Sequence, residues 1–207
     1  MAEENNNMEE LFRQMDNHLL HDERPSEYLE QISREPWFLN YPFSMLGKMK
    51  ETPQSKRFHP EGSVWNHTMM VVDQAAEEKA KSKDARTFMW AALLHDIGKP
   101  AVTKIRKDKI TAYNHDAEGE HLTEDFLSCF SVDDKWIGEV AKLVRYHMHI
   151  LYVTDGLPFG DVDGLKRETD IGEVALLGLC DRIGRGGSVP EDEAKAVRLF
   201  LKKMRNM

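Results

Sequence analysis

The sequence is poor in cysteine, with only two in 207 residues. Both of them, Cys129 and Cys180, lie in apolar runs. A disulfide framework needs more cysteines in a shorter chain, so we expect two reduced core thiols in a reducing compartment. A chain of this length can bury a sufficient core as one medium-sized domain without such cross-links.

Long apolar stretches are also missing. No run approaches the roughly 20 residues that a membrane-spanning helix needs. The first ten residues are polar and acidic, and they lack the basic region and apolar stretch of a secretory signal. These absences predict a cytoplasmic protein that has no contact with a membrane.

An excess of positive charge is the third absence. The chain has 28 Lys and Arg against 36 Asp and Glu, which gives a formal net charge of −8. A protein that coats nucleic acid presents a broad basic face. RNA is therefore a less favoured partner than a small molecule.

Alternation typical of β-strands is nearly absent, and apolar residues recur at helical spacing along most of the chain. The sequence predicts an all-α fold with one small β-hairpin near residues 102–113, where two β-prone stretches flank the basic turn Arg106–Lys109. Residues 1–25 are predicted to form a flexible or short helical N-terminal arm. Residues 26–207 are predicted to form the main helical domain, together with the helical segment that precedes it. Ser26 is predicted to cap the first helix of that segment, and residues 156–164 are predicted to form a loop.

The chain contains nine histidines, and helical phase separates them, because residues three or four apart share one face of a helix. His67, His95, His115 and His147 each share a face with apolar residues, so these four are predicted to point into the core. His149 lies about 200° around the helix from His147, at roughly 100° per residue, and is predicted to point away from it.

Two carboxylates fall on the same buried faces. Asp96 directly follows His95 in the most apolar predicted helix, and Asp181 directly follows the apolar run 174–180 and shares a side with its Val174 and Leu177. A single inward histidine is ordinarily a core residue that binds a backbone carbonyl. Four of them with two aspartates have the composition of a site for a borderline divalent ion, because buried charges need partners. Six ligands exceed the need of one tetrahedral ion and suit two ions bridged by a carboxylate.

The segment AALLHDIGKP at residues 91–100 resembles the signature of the HD-domain (HDIG) metal-dependent phosphohydrolases. The earlier pair His67-Thr68 and the late Asp181 fit the order His, His-Asp, Asp of that family. The run HPEGSVWNHT at residues 59–68 is similar to the start of the HD domain in bacterial CCA-adding tRNA nucleotidyltransferases, and the resemblance extends over roughly residues 28–187. The motifs of their polymerase head are not found, so tRNA end addition is not expected from this sequence.

The resemblance implies an HD-domain helical bundle that holds one or two divalent ions, with Mn, Fe, Ni, Co, Mg and Zn as candidates. It implies that His67, His95, Asp96 and Asp181 hold the first ion. Asp96 would bridge to a second ion, which would also be held by His115 and His147.

Several cations near this set are candidates for binding substrate phosphate. Asp96 and Lys99 are the predicted catalytic residues, and the predicted substrate-binding residues are Lys99, Arg145, Arg182 and Arg185. Each arginine also has an ordinary interpretation as a salt-bridge or surface residue. Lys99 is equally well interpreted as a solvated lysine that interacts with the helix dipole.

The predicted function is hydrolysis of a phosphoester or phosphoanhydride in a nucleotide or related small molecule, with a metal-bound hydroxide as nucleophile. The predicted partner is therefore a small phosphorylated substrate. Two alternatives remain at this point. One is a di-iron oxygenase of the HD type, and the other is a non-catalytic HD module that binds RNA or regulates.

Overall fold

Helices make up most of the chain in the computed structural model, which describes the backbone of residues 2–107 and 109–207 and the side chains of residues 7–107 and 109–207. Met1 of the predicted arm and Asp108 of the predicted basic turn lie outside these residues. The helices are α1 (Ala2–His21), α2 (Pro25–Ile32), α3 (Ser44–Glu51), α4 (Val64–Glu78), α5 (Ala85–Leu94), α6 (Lys99–Val102), α7 (His115–Leu127), α8 (Asp134–Tyr146), α9 (His149–Thr154), α10 (Val162–Glu168), α11 (Ile171–Ile183) and α12 (Pro190–Asn206). Short 3-10 helices cover Pro36–Leu39 and Lys79–Lys81.

Capping side chains set where the central helices begin. The Ser63 hydroxyl accepts a hydrogen bond from the Asn66 amide at the start of α4, and Asp84 accepts from two amides at the start of α5. Asp133 and Asp170 cap α8 and α11 in the same way. Because these caps satisfy free amides of the first turn, they fix the phase in which each helix presents its side chains.

Helix α5 is the centre of the bundle. Every residue from Thr87 to Leu94 is buried, as the uninterrupted apolar run in the sequence predicts. The helix contacts α1, α4, α8 and α11. Helix α1 packs on it through the buried Phe12, Met15 and Leu19, and the Trp90 indole donates a hydrogen bond to Asp16 of α1 at 2.7 Å. The division of the chain at residue 25 stays a prediction.

The small hairpin lies where the sequence predicts it. Strand β1 (Lys104–Arg106) pairs antiparallel with β2 (Lys109–Thr111), with Ile105 opposite Ile110. The all-α class with one small hairpin is therefore confirmed for the described residues. Among those residues no helix has the length and apolar character needed to cross a membrane, and both cysteines are free thiols.

Two local predictions were wrong. Ser26 was expected to cap α2, but the helix already begins at Pro25, and the Ser26 hydroxyl instead donates to Asp73 at 2.7 Å. The segment 156–164 was expected to be a loop, but α10 begins within it at Val162, with the Asp161 side chain as its cap. The Ser26 hydroxyl is thus used in a contact with α4, whereas the start of α10 follows from the local cap by Asp161.

Candidate metal centre

Six side chains from five separate segments meet at the ends of the central helices. His67 lies in the first turn of α4, and His95 and Asp96 follow the last turn of α5. His115 begins α7, His147 follows α8, and Asp181 lies in the last turns of α11. All six are buried, as their helical phase predicts, although they are spread over more than half of the chain.

The first group of donor atoms surrounds one oxygen of Asp96. Its Oδ2 atom lies 3.2 Å from His95 Nε2 and 3.8 Å from His67 Nε2. His67 Nε2 in turn lies 3.0 Å from Asp181 Oδ1. Imidazole nitrogens and carboxylate oxygens at such spacings match the ligands of a borderline divalent ion.

The second group surrounds the other oxygen of the same carboxylate. Asp96 Oδ1 lies 3.4 Å from His115 Nε2 and 3.8 Å from His147 Nε2. One potential ligand atom from each of Asp96, His115 and His147 lies within 4.8 Å of the others, and the same holds for His67, His95 and Asp96. Asp96 is thus the residue that the two groups share, with one oxygen directed to each.

Backbone hydrogen bonds show which ring nitrogen carries a proton in three of the histidines. Nδ1 of His95, His115 and His147 lies 2.9, 2.7 and 2.6 Å, respectively, from the carbonyl oxygen three residues earlier. A carbonyl only accepts, so each Nδ1 carries a proton, and in its neutral form each ring presents the Nε2 lone pair to the centre. This is the tautomer that a metal-binding histidine requires.

Two of these lone pairs face each other. His115 Nε2 lies 3.3 Å from His147 Nε2, and neither atom carries a proton when both rings are neutral. His95 Nε2 is also buried, without a hydrogen-bond partner in the described structure. Buried acceptors that converge without a donor are costly unless a cation satisfies them. The residues present therefore fit divalent metal.

The two aspartates are held in the ionised state. Burial alone would raise the pKa of Asp96, but the neighbouring His95 and Lys99 keep it well below its usual range. Burial likewise opposes the ionisation of Asp181, and Arg185 and His67 keep its pKa well below its usual value. Both carboxylates are thus available as anionic ligands near neutral pH.

The histidines divide into two kinds by pKa. Burial lowers the pKa of His115, and burial together with its histidine neighbours lowers that of His147 to about 3. Burial would also lower the pKa of His67, but its contacts with Asp181 and Glu61 raise it. His115 and His147 are consequently neutral, which is the form that binds metal, whereas His67 lies between two carboxylates.

Glu61 is the residue at this site that helical phase did not single out, because it lies in the loop before α4. Its Oε1 atom lies 3.1 Å from His67 Nδ1 and 2.9 Å from His59 Nδ1, and its Oε2 accepts from the Gly186 amide at 3.2 Å. Burial opposes its ionisation, but these contacts lower its pKa to about 2. The carboxylate is therefore an ion-pair partner on the Nδ1 side of the His67 ring, where no hydrogen bond of good geometry forms.

Gly98 permits the close approach that brings Asp96 beside His115. A Cβ atom at this position would clash with the carbonyl oxygen of His115 and would lie 2.6 Å from the Gly119 amide nitrogen. The backbone between α5 and α6 therefore touches the first turn of α7, and any side chain at residue 98 would push the two groups of ligands apart.

A cavity of about 490 Å³ opens onto the centre. Lys99 lies on its wall, with Nζ 2.6 Å from Asp96 Oδ2 and 2.6 Å from Gln54 Oε1. Arg185 also lines it and lies 3.0 Å from Asp181 Oδ2, and this pairing raises the pKa of its guanidinium. The lining also includes the apolar side chains of Phe58, Ile110, Met148, Leu151 and Leu157.

The other two predicted substrate-binding arginines do not line this cavity. Arg145 pairs with Asp116 at 2.8 Å and with Glu120 at 3.6 Å, so it joins α8 to α7. Arg182 forms an ion pair with Glu193, which joins α11 to α12. In this structure both side chains therefore act as salt-bridge residues between neighbouring helices.

The prediction that His149 points away from the core was wrong. His149 is buried, and its Nε2 accepts a hydrogen bond from the Asp161 amide at 3.0 Å. Helix α8 ends at Tyr146 and α9 begins at His149. The break between them resets the helical phase, which is why counting onward from His147 gave the wrong direction.

This chain is an all-α domain with a buried histidine–aspartate centre at the ends of its helices. These features place it in the class of helical metal-binding domains. The family model described as HD domain matches residues 64–186, which is more than half of the chain. The chain therefore belongs to the HD-domain family, within the metal-dependent phosphohydrolase superfamily.

Similar proteins include two named Multifunctional CCA protein. The one from Azoarcus sp. (strain BH72) is 30% identical over 165 residues, which cover 74% of this chain and 37% of that protein. The one from Dechloromonas aromatica (strain RCB) is 28% identical over 179 residues, which cover 81% of this chain and 40% of that protein. The match thus spans less than half the length of these relatives.

Proposed function

We propose that this chain is a phosphohydrolase that depends on divalent metal and cleaves a phosphoester or phosphoanhydride of a nucleotide or a related small molecule. His67, His95, Asp96 and Asp181 would hold one ion. His115 and His147 would hold a second, with Asp96 between the two. The chain's membership of the HD-domain family supports this assignment of roles.

The strongest support for the proposal is the contact between His115 and His147. Nε2 atoms of His115 and His147 lie 3.3 Å apart, while both Nδ1 protons are committed to carbonyl oxygens. Such a pair of acceptors is unfavourable in an ordinary core, where a histidine donates as well as accepts. A cation between the two rings would remove the repulsion.

Asp96 provides the link between the two groups. Its two oxygens are directed to different sets of histidines, so this one carboxylate would contribute to holding both ions. Divalent ions at such a centre activate water and neutralise charge on a phosphoryl group. The two histidine pairs and Asp181 would hold the geometry rigid, because each ring is already oriented by a second contact.

Lys99 and Arg185 supply positive charge on the cavity wall. Lys99 is held between Asp96 and Gln54, where its ammonium group would contact a phosphoryl oxygen or the leaving oxygen of the substrate. Arg185 would contact a second phosphoryl oxygen while it keeps Asp181 ionised. Both cations are largely sheltered from water, which strengthens their attraction for an anion.

The apolar side chains of the lining limit what else binds. A pocket lined by both cations and apolar side chains suits a molecule that has both a phosphate and a flat or apolar group. A nucleotide has this composition. The relatives named Multifunctional CCA protein match 74% and 81% of this chain, but we carry over to it only the hydrolytic chemistry of the HD domain.

The test is a hydrolysis screen with defined metal content. The protein is stripped with a chelator, confirmed to be folded by circular dichroism, and reloaded separately with Mn, Fe, Ni, Co, Mg or Zn. Each form is assayed for phosphate or nucleotide release from phosphomonoesters, cyclic nucleotides and dinucleoside polyphosphates. The proposal expects metal-dependent release with at least one substrate class.

Two outcomes would count against it. Folded protein that binds metal and hydrolyses none of these compounds would contradict the phosphohydrolase proposal. Oxygen uptake by the iron-loaded form with an organic substrate, without phosphate release, would favour the di-iron oxygenase instead.

A further inference from the structure

A second cavity adjoins the one at the metal centre. It has a volume of about 710 Å³ and is lined by the loop after α3 and by the hairpin. Pro53, Gln54, Ser55 and Ile110 line both cavities. The two therefore form one groove that runs outward from the centre.

Gln54 marks the place where the two cavities meet. It is buried, its Oε1 accepts from Lys99 Nζ at 2.6 Å, and its Nε2 donates to the Ser63 carbonyl at 3.2 Å. The side chain of Gln54 thus contacts the candidate phosphate-binding lysine and also lines the outer cavity. A long ligand bound at Lys99 would extend along the protein surface into the outer cavity.

The outer cavity is lined by more positive than negative charge. Lys50, Lys56, Arg57 and Glu51 line it. The Lys50 ammonium is bound to the carbonyl and hydroxyl of Ser33, so Lys56 and Arg57 supply the positive charge here. Lys56 and Arg57 are exposed, and no carboxylate of the described residues lies within 4.0 Å of either cation. In a chain of net charge −8, such a local excess of positive charge beside a candidate phosphate site would attract polyanions.

The hairpin contributes an apolar surface and additional positive charge. Ile105 and Ile110 are cross-strand partners, and both line the outer cavity. Side chains alternate between the faces of a strand, so the exposed Lys104, Arg106 and Lys109 lie on the far face of the hairpin. Their charge strengthens the positive potential at the mouth of the groove without filling it.

An exposed aromatic ring lies beside these cations. Phe58 is 59% exposed although it lines the inner cavity, and the Arg57 guanidinium carbon lies 5.2 Å from the centroid of its ring. Proteins that bind single-stranded nucleic acid combine a positively charged groove with aromatic rings on which bases stack. A free polyphosphate would use the cations but not the ring.

We propose that the outer cavity is a subsite for the backbone of a single-stranded oligonucleotide whose terminal phosphate reaches the histidine–aspartate centre. In this arrangement Lys56 and Arg57 contact the next phosphates along the strand, and Phe58 stacks on a base. The inference rests on the proposed phosphohydrolase function and narrows its substrate from any nucleotide to a strand of several nucleotides.

The test compares ligands of different length on the metal-loaded protein. Binding of a fluorescein-labelled single-stranded hexanucleotide with a 3′-terminal phosphate is followed by fluorescence anisotropy, with the 3′-mononucleotide and linear hexaphosphate as competitors. We expect the hexanucleotide to bind at least about tenfold more tightly than the mononucleotide. We also expect linear hexaphosphate to be the weaker competitor.

Three variants locate the binding. Lys56→Gln/Arg57→Gln should weaken hexanucleotide binding about tenfold or more, and it should flatten the slope of log affinity against log salt by about 1.4 because two phosphate contacts are lost. Phe58→Ala should weaken binding of the hexanucleotide but not of hexaphosphate. The matched control Arg198→Gln/Lys202→Gln removes the same charge from exposed positions of α12, which lines neither cavity.

Equal affinity for the mononucleotide and the hexanucleotide would overturn the inference. So would equal weakening by the α12 control, since that would mean attraction by overall charge. Hexaphosphate that competes as well as the hexanucleotide would also overturn it. In each case metal-dependent hydrolysis of mononucleotides, measured separately, decides whether the proposed function survives.

Discussion

His67 and Asp181 meet at 3.0 Å although 114 positions separate them in the sequence. The contact joins α4 to α11 and closes the ring of segments around the candidate centre. On its other side, the His67 ring is held by Glu61. The centre is thus fixed by packing between distant helices rather than by a local loop, and each proposed ligand can be tested by itself.

Asp96 is the residue on which both proposed sites depend. Asp96→Asn keeps the size of the side chain but removes the charge that both groups of histidines face. We expect bound metal, measured by mass spectrometry, to fall from two ions per chain to none, and metal-dependent hydrolysis to be lost. The control Asp125→Asn makes the same change at an exposed position and should bind as the wild type does.

His115 belongs only to the second group. His115→Gln should therefore leave one ion per chain, held by His67, His95, Asp96 and Asp181. Chelator competition should show that the remaining ion has nearly the affinity of the tighter wild-type site. If this variant loses both ions while its circular dichroism spectrum is unchanged, the division of the ligands into two groups is wrong.

Glu61 acts through His67 and does not itself need to touch metal. Glu61→Gln keeps an oxygen beside His67 Nδ1 but removes the charge that holds the ring basic. We expect metal affinity to fall about 10- to 100-fold, the range found when outer carboxylate partners of metal-binding histidines are replaced. Titration with Mn²⁺ measures this directly, and Glu35→Gln, at an exposed position, is the control.

Unchanged metal affinity in the Glu61 variant, with normal folding, would show that the carboxylate only orders its loop. A loss of stability without a loss of affinity would lead to the same conclusion. The metal titration is thus a readout that a merely structural role would leave unaffected.

Gly98 sets the spacing between Asp96 and His115. Gly98→Ala should destabilise the fold by about 1–3 kcal/mol or more, because the new methyl group overlaps the backbone of α7. Urea denaturation measures the change. Gly138→Ala is the matched control, since nothing lies within 4 Å of its added Cβ in the middle of α8, and it should stabilise by about 0.5–1 kcal/mol. Similar values for the two variants would contradict the close-approach argument.

Much of this centre could be predicted from the sequence because its ligands lie on regular helices. Helical spacing alone placed His67, His95, His115 and His147 on buried faces, and burial made Asp96 and Asp181 conspicuous. Periodicity carries this information whenever a helix continues without interruption. The hairpin could also be predicted from the sequence, because β-prone stretches flank a polar turn.

Other features depend on contacts between segments and left no periodic signal. Glu61 lies in a loop, where no phase exists, and its role follows only from its distance to His67. His149 was misplaced because the helix breaks just before it. Arg145 and Arg182 were grouped with substrate-binding residues by charge, whereas their acidic partners on neighbouring helices became visible only in three dimensions.

The central claim is that two divalent ions at the histidine–aspartate centre enable hydrolysis of a phosphoester or phosphoanhydride. The most direct measurement titrates chelator-stripped protein with Mn²⁺ and records bound metal and hydrolysis of a phosphorylated nucleotide in the same samples. We expect saturation at two ions per chain, with activity that rises as the sites fill and is absent from Asp96→Asn. Folded protein that saturates without hydrolysis, or that hydrolyses equally well with no metal bound, would contradict it.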